Sequence, residues 1–104
     1  MNHNQKLLGL IGLAMRAGKV VSGDEGVLAA IKNQKASLVI IAEDASDGTK
    51  KKFIDKSSYR DIPHRIAFEK DVLGHAIGKK TRAVVGIVDP NFAKKMLEMI
   101  DCSH

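Results

Sequence analysis

Residues 37–52 read SLVIIAEDASDGTKKK, and the change of character at Glu43 decides which fold the chain can adopt. Ser37–Ala42 is a continuous apolar run rich in β-branched residues, as expected of a strand buried on both faces. Glu43 and Asp44 mark where that strand emerges, a position where ligands often meet α/β folds. Neighbouring residues on an extended chain point to opposite faces, so these two carboxylates are ill placed as an acid/base pair. They read as a loop carboxylate plus a turn into a helix capped by Ser46 or Asp47 and running to about Ser58. Lys50, Lys51 and Lys52 fan out by about 100° each on such a helix, so most of that run faces solvent.

Working outward, the same alternation of strand and helix continues in both directions. Gln5–Ala17 carries Leu7, Leu8, Ile11, Ala14 and Met15 at helical spacing. Gly9 and Gly12 on another face would let a neighbour approach closely, and Gly18 stops the helix. Lys19–Ser22 is a short strand, and Ser22 with Glu25 forms the Ser-x-x-Glu pattern of a capping box opening a second helix. Beyond the third helix, residues 62–68 (IPHRIAF) form a short strand introduced by Pro63. Residues 69–78 (EKDVLGHAIG) form a short helix closed by Gly78, and 83–89 (AVVGIVD) a second buried strand. Asp89 caps a last helix with Pro90 at its first position. The order αβαβαβαβα predicts an α/β fold of three layers with four strands. The length of 104 residues suits a single domain spanning 1–104.

Composition narrows the functional classes. No apolar run is long enough to span a membrane. Leu7–Ala17 imitates a signal-peptide core, but Gly9, Gly12 and Arg16 interrupt it and no small-residue cleavage site follows. The lone cysteine, Cys102, cannot form an internal disulfide, which fits the cytoplasm, and the four histidines are scattered. No metal, cofactor or catalytic constellation is expected. Seventeen basic against twelve acidic residues leave a net charge of +5, which favours a polyanionic partner. Aromatic residues make up only 4%, with no Trp, which disfavours modules that stack single-stranded bases on aromatic platforms.

GHAIGKKT, Gly74–Thr81, approaches a phosphate-binding loop but fails in spacing and in context. That loop runs from a strand into a helix, whereas here a helix runs into a strand. What the segment does offer is Lys79, Lys80, Thr81 and Arg82 on one short connection. It is either a charged tight turn or a loop that donates to phosphate oxygens. The three cations are expected to face solvent, because the apolar strand begins only at Ala83.

LVIIAEDAS and LGHAIGKKTRAVVGIVD, following RAGKVVSG in this order, resemble the ribosomal-protein family of kink-turn RNA binders, the L-seven-Ae and L-thirty-e group. LGLAMRAGKVVSG together with AEDASDGTKKK is similar to its small bacterial YlxQ branch. The likeness covers nearly the whole chain. It implies a three-layer α-β-α sandwich around a central four-stranded mixed sheet, in which the first and last strands run antiparallel. It also implies an RNA partner, ribosomal or another structured RNA, with ribosomal proteins as possible neighbours and no small-molecule substrate. The RNA would meet the start of the second helix at Gly23, Asp24 and Glu25 and the loop Lys79, Lys80, Thr81 and Arg82. Lys32, Ser46 and Lys70 complete the set, Lys70 matching a lysine that lines the pocket of an extruded base.

Strong kink-turn binders carry Gly-x-Asn-Glu-x-x-Lys at the second helix. Gly23 matches the glycine, but the Asn, Glu and Lys positions hold Glu25, Gly26 and Ala29. Base-edge readers are replaced while phosphate donors are gained in the loop, which favours RNA binding through phosphates over kink-turn specificity. Asp24 and Glu25 oppose RNA locally, although the amides of Gly23 and Asp24 could meet a phosphate. A protein-interaction module that has lost RNA binding is the alternative reading, and a small nucleotide-binding enzyme using Glu43, Asp44 and Lys79 a more distant one.

Overall fold

The computed structural model of the chain describes residues 3–102. The elements are α1 (His3–Arg16), β1 (Val20–Ser22), α2 (Asp24–Lys32), β2 (Leu38–Ile41), α3 (Asp47–Tyr59), β3 (His64–Ile66), α4 (Lys70–Ala76), β4 (Val84–Ile87) and α5 (Pro90–Asp101). This is the order expected from the sequence, with small shifts at the ends. The four strands form one sheet in the order β1-β4-β2-β3. β4 runs antiparallel to both β1 and β2, pairing Val21 with Gly86 and Val39 with Gly86, while β3 lies parallel to β2. The sheet is therefore mixed, with its first and last strands antiparallel. α2 and α3 pack on one another, and α1 packs on α4 and α5.

The two central strands, β2 and β4, are buried at every position, which is why their sequences do not alternate. Leu38, Ile40 and Ile87 from the strands, Ile11 from α1, Phe53 from α3, Leu73 from α4 and Met96 from α5 are all fully buried. Burying side chains of this size is worth about 1.5–3 kcal/mol each relative to exposure. Caps at α3 and α5 follow the sequence. Ser46 Oγ accepts from the Thr49 amide at 3.1 Å, and Asp89 Oδ1 accepts from the Asn91 and Phe92 amides. Gly12 lets α4 approach, since a Cβ there would come within 3.1 Å of the Ala76 carbonyl oxygen, whereas Gly9 faces open space.

The expected capping box does not form. Ser22 is the last residue of β1, and the N-cap of α2 is Gly23, with no side-chain cap hydrogen bond. Gly23 sits at φ 84° and ψ 161°, a sharp strand-to-helix turn in the region that glycine alone adopts without strain. Ser22 is held elsewhere: its Oγ accepts from Arg82 Nε at 3.1 Å. Glu25 is left exposed on the first turn of α2.

Candidate nucleic-acid interface

The C-terminal ends of β1, β2 and β3 and the start of β4 lie at the same end of the sheet, and hydrogen bonds tie their loops together. The Ala42 amide donates to the Ala83 carbonyl at 2.8 Å, and the Glu43 amide donates to the Phe68 carbonyl at 2.7 Å. Asp44 does more than mark the end of β2. Its Oδ1 accepts from the Lys70 amide at 2.8 Å and so caps α4 from another loop, where the N-cap residue Glu69 makes no side-chain bond. Glu43 instead lines a cleft with His3, Asn4 and Phe68, so the two carboxylates serve different places.

The loop 77–82 is held against α4. The Ile77 and Lys79 amides both donate to the Gly74 carbonyl, at 3.1 and 2.8 Å, and the Arg82 amide donates to the Lys70 carbonyl at 3.1 Å. Gly74 is buried and permits this contact, since a Cβ there would lie 2.7 Å from the backbone of Lys80 and Thr81. Lys79, Lys80 and Thr81 are exposed. Arg82, expected to face solvent, is half-buried, because its guanidinium turns back to Ser22 Oγ and, through Nη1, to the Thr81 carbonyl at 2.7 Å. A continuous run of bonds thus links Asp44, the start of α4, Arg82 and Ser22 at the end of β1.

The start of α2 completes this surface. Gly23 does not present its amide, which donates to the Val84 carbonyl at 3.1 Å. The Asp24, Glu25 and Gly26 amides, in the first turn, have no intrahelical acceptor. Asp24 is not an isolated anion, because Lys52 Nζ from α3 meets its Oδ2 at 3.1 Å. The two side chains are 40% and 47% exposed, so the pair is worth at most about 1 kcal/mol. Its effect is to neutralise a charge at the mouth of α2. Lys52 therefore points along the α2–α3 seam, unlike its neighbour Lys51, whose Nζ pairs with Asp55 at 2.9 Å on the outer face. That bond holds the Lys51 ammonium above its usual pKa.

Of the residues assigned from the sequence, Gly23, Asp24, Glu25, Ser46, Lys70, Lys79, Lys80, Thr81 and Arg82 come to this one end of the molecule. The Ser46 hydroxyl is engaged there as the α3 cap, and Lys70 is half-buried. Lys32 does not join them. It ends α2, about 12 Å along the helix axis from Asp24 at 1.5 Å per residue, in a groove with Lys56 and Arg60. Sequence reasoning missed Ser22, Asp44 and Lys52 as partners, and no local pattern announces bonds made across the fold. Among the described residues no group of His, Cys, Asp and Glu is arranged to hold a metal, and no helix is long and apolar enough to cross a membrane.

The profile of the ribosomal protein L7Ae/L30e/S12e/Gadd45 family matches residues 5–97. The RNA-binding protein YlxQ of Enterococcus faecium is 50% identical over 99 residues, covering 95% of both chains. The RNA-binding protein YlxQ of Bacillus subtilis is 46% identical over 92 residues, covering 88% of this chain and 92% of its own. A solved Bacillus halodurans protein of unknown function superposes with a TM-score of 0.90 at 42% identity, covering 92% of this chain and 97% of its own.

Proposed function

The chain belongs to the ribosomal protein L7Ae/L30e/S12e/Gadd45 family, and from that premise we propose that it is a non-enzymatic RNA-binding protein acting mainly through phosphate contacts. The observation that carries this reading is the Arg82–Ser22 bond, which sets the basic loop 79–82 beside the start of α2. Lys79 and Lys80 stand exposed on that loop, and Arg82 is the member that reaches the strand end leading into α2. All of these groups donate to phosphate oxygens, which position an RNA without reading its sequence. Two close relatives carry RNA-binding names, which supports the same partner class.

Kink-turn specificity is not part of the proposal. Glu25, Gly26 and Ala29 occupy the positions where strong kink-turn binders read base edges, and none of the three can donate from its side chain at neutral pH. The alternative of a protein-interaction module loses part of its support at Asp24, whose charge is already matched by Lys52. The deciding measurement is a gel-shift comparison of a kink-turn RNA with a plain duplex of equal length and charge. Comparable affinities are expected. Three or four neutralised phosphates should weaken both by about 40- to 150-fold between 50 and 200 mM salt. Strong preference for the kink-turn would overturn the phosphate reading, and no binding to either RNA would overturn the function.

A further inference from the structure

α2 and α3 lie side by side and run in the same direction, with Asp24 opposite Lys52 at one end and Leu28, Ile31 and Lys32 opposite Lys56, Tyr59 and Arg60 at the other. Each helix contributes residues at i, i+3 and i+4, the spacing that puts three side chains on one face. Between them is a groove of about 380 Å³, within the range of ligand clefts of about 300–1,000 Å³. Its floor is apolar, from Leu28 and Ile31, and its rim carries the three cations. No carboxylate lines it among the described residues. Tyr59 is the only tyrosine of the chain and is 81% exposed, with the Arg60 guanidinium 5.6 Å from its ring centroid.

An aromatic ring left open to solvent beside three cations, in a groove that no carboxylate lines among the described residues, has no structural duty in the core. We propose that this groove is a second RNA site, taking one unstacked base against Tyr59 and Arg60 and the adjoining phosphates on Lys32 and Lys56. The inference rests on the RNA-binding reading above and extends it from the loop end of the molecule to the far end of α2. Base stacking on an aromatic ring tolerates any base, and Arg adds a cation–π contact. One ring suffices for one base, so the scarcity of aromatics in this chain is no obstacle. The charge pattern favours a nucleic-acid strand over a protein segment, because three cations surround a small floor. The distance of about 12 Å from the start of α2 equals three or four stacked nucleotides at about 3.4 Å each. A single strand leaving a structured RNA held at the loop would reach the groove by running along the α2–α3 seam, past Lys52.

The test uses the kink-turn RNA of the gel-shift comparison, with and without a four-uridine single-stranded tail on either end. A second version of the tail carries 2-aminopurine, whose fluorescence falls on stacking. The tail at one end should tighten binding to the wild-type protein by about fivefold or more, the lower bound for one stacked base, and quench the probe. Tyr59→Ala should abolish the gain and the quench, Tyr59→Phe should keep both, and Lys56→Gln with Arg60→Gln should reduce the gain. Untailed RNA should bind all four proteins alike, and unchanged melting temperatures serve as the folding control. Equal affinity for tailed and untailed RNA, or a gain that survives Tyr59→Ala, overturns the groove as an RNA site and leaves it to a protein partner, with the loop reading intact. Failure of the untailed RNA to bind the wild type overturns the RNA reading itself, and this inference with it.

Discussion

Gly74 is the position where one added methyl group would do most damage. Its Cβ would meet backbone atoms of Lys80 and Thr81 at 2.7 Å, and a backbone cannot swing aside as a long side chain can. Gly74→Ala is expected to cost about 1–3 kcal/mol, the range for forced overpacking, and to weaken RNA binding by displacing the loop. Thermal melting and an RNA titration of the same sample check both. Gly9→Ala is the matched control: nothing lies within 4 Å of a Cβ there, so the helix gains about 0.8–1 kcal/mol in propensity with no change in RNA affinity. Asp44 is the second sensitive residue. Asp44→Ala removes the acceptor of the Lys70 amide and should cost about 0.5–2 kcal/mol, as losses of helix caps do. Asp44→Asn, which retains a carbonyl acceptor, should lose only a fraction of that in the same melt.

Among the elements, the 79–82 loop and α3 make opposite predictions for the same change of charge. Replacing Lys79, Lys80 and Arg82 by Ala should remove most RNA binding and flatten the dependence of log affinity on log salt by about one unit per lost phosphate contact. Replacing Lys50, Lys51 and Lys52 should do much less, with any loss traceable to Lys52, which meets Asp24 at the mouth of α2. RNA affinity of both triple variants at two salt concentrations, with melting temperature as control, checks this; greater loss in the α3 variant would put the RNA on the wrong face. The elements themselves were legible in the sequence because each rests on local chemistry. The unbroken apolar runs at β2 and β4, Ser46 and Asp89 at helix starts, and Gly18 after α1 all act within a few residues. Ser22 misled for the same reason. Its spacing to Glu25 suits a capping box, but the bond to Arg82, 60 positions away, and the positive φ of Gly23 decide its place. The Asp44–Lys70 and Asp24–Lys52 pairs were hidden likewise, since nothing local encodes a contact across the sheet end. Lys32 stood in the expected RNA-binding set, but the groove around it depends on the alignment of α2 with α3, which no single-helix pattern contains.

At the scale of the whole molecule, the edge strand β3 is joined to the end of α5 by a two-pronged ion pair. Arg65 Nε meets Asp101 Oδ1 at 2.8 Å and Nη2 meets Oδ2 at 2.9 Å. The hydrogen bond to Arg65 holds the Asp101 carboxyl below its ordinary pKa of 3.8. A carboxyl with a lowered folded pKa stabilises the fold above its unfolded value and loses that contribution as pH falls through the folded one. Asp101→Asn should therefore melt below wild type at neutral pH, and the gap should begin to narrow only below about 3.8 and close as the pH falls through the lowered folded pKa; a gap that persists in stronger acid would mean that the pairing is not its cause. The strand order sets a further condition, on timing. β1 has β4 as its sheet neighbour, and the loop that completes the interface immediately precedes β4. A ribosome delivers residues from the N-terminus at about 5–20 per second, so α2 is made early but its mouth stays unfinished until Val84–Ile87 has emerged. With the RNA site proposed above, a nascent chain stopped short of β4 would hold half of the candidate interface and is expected to bind RNA poorly, so that binding would await the pairing of β4 with β1.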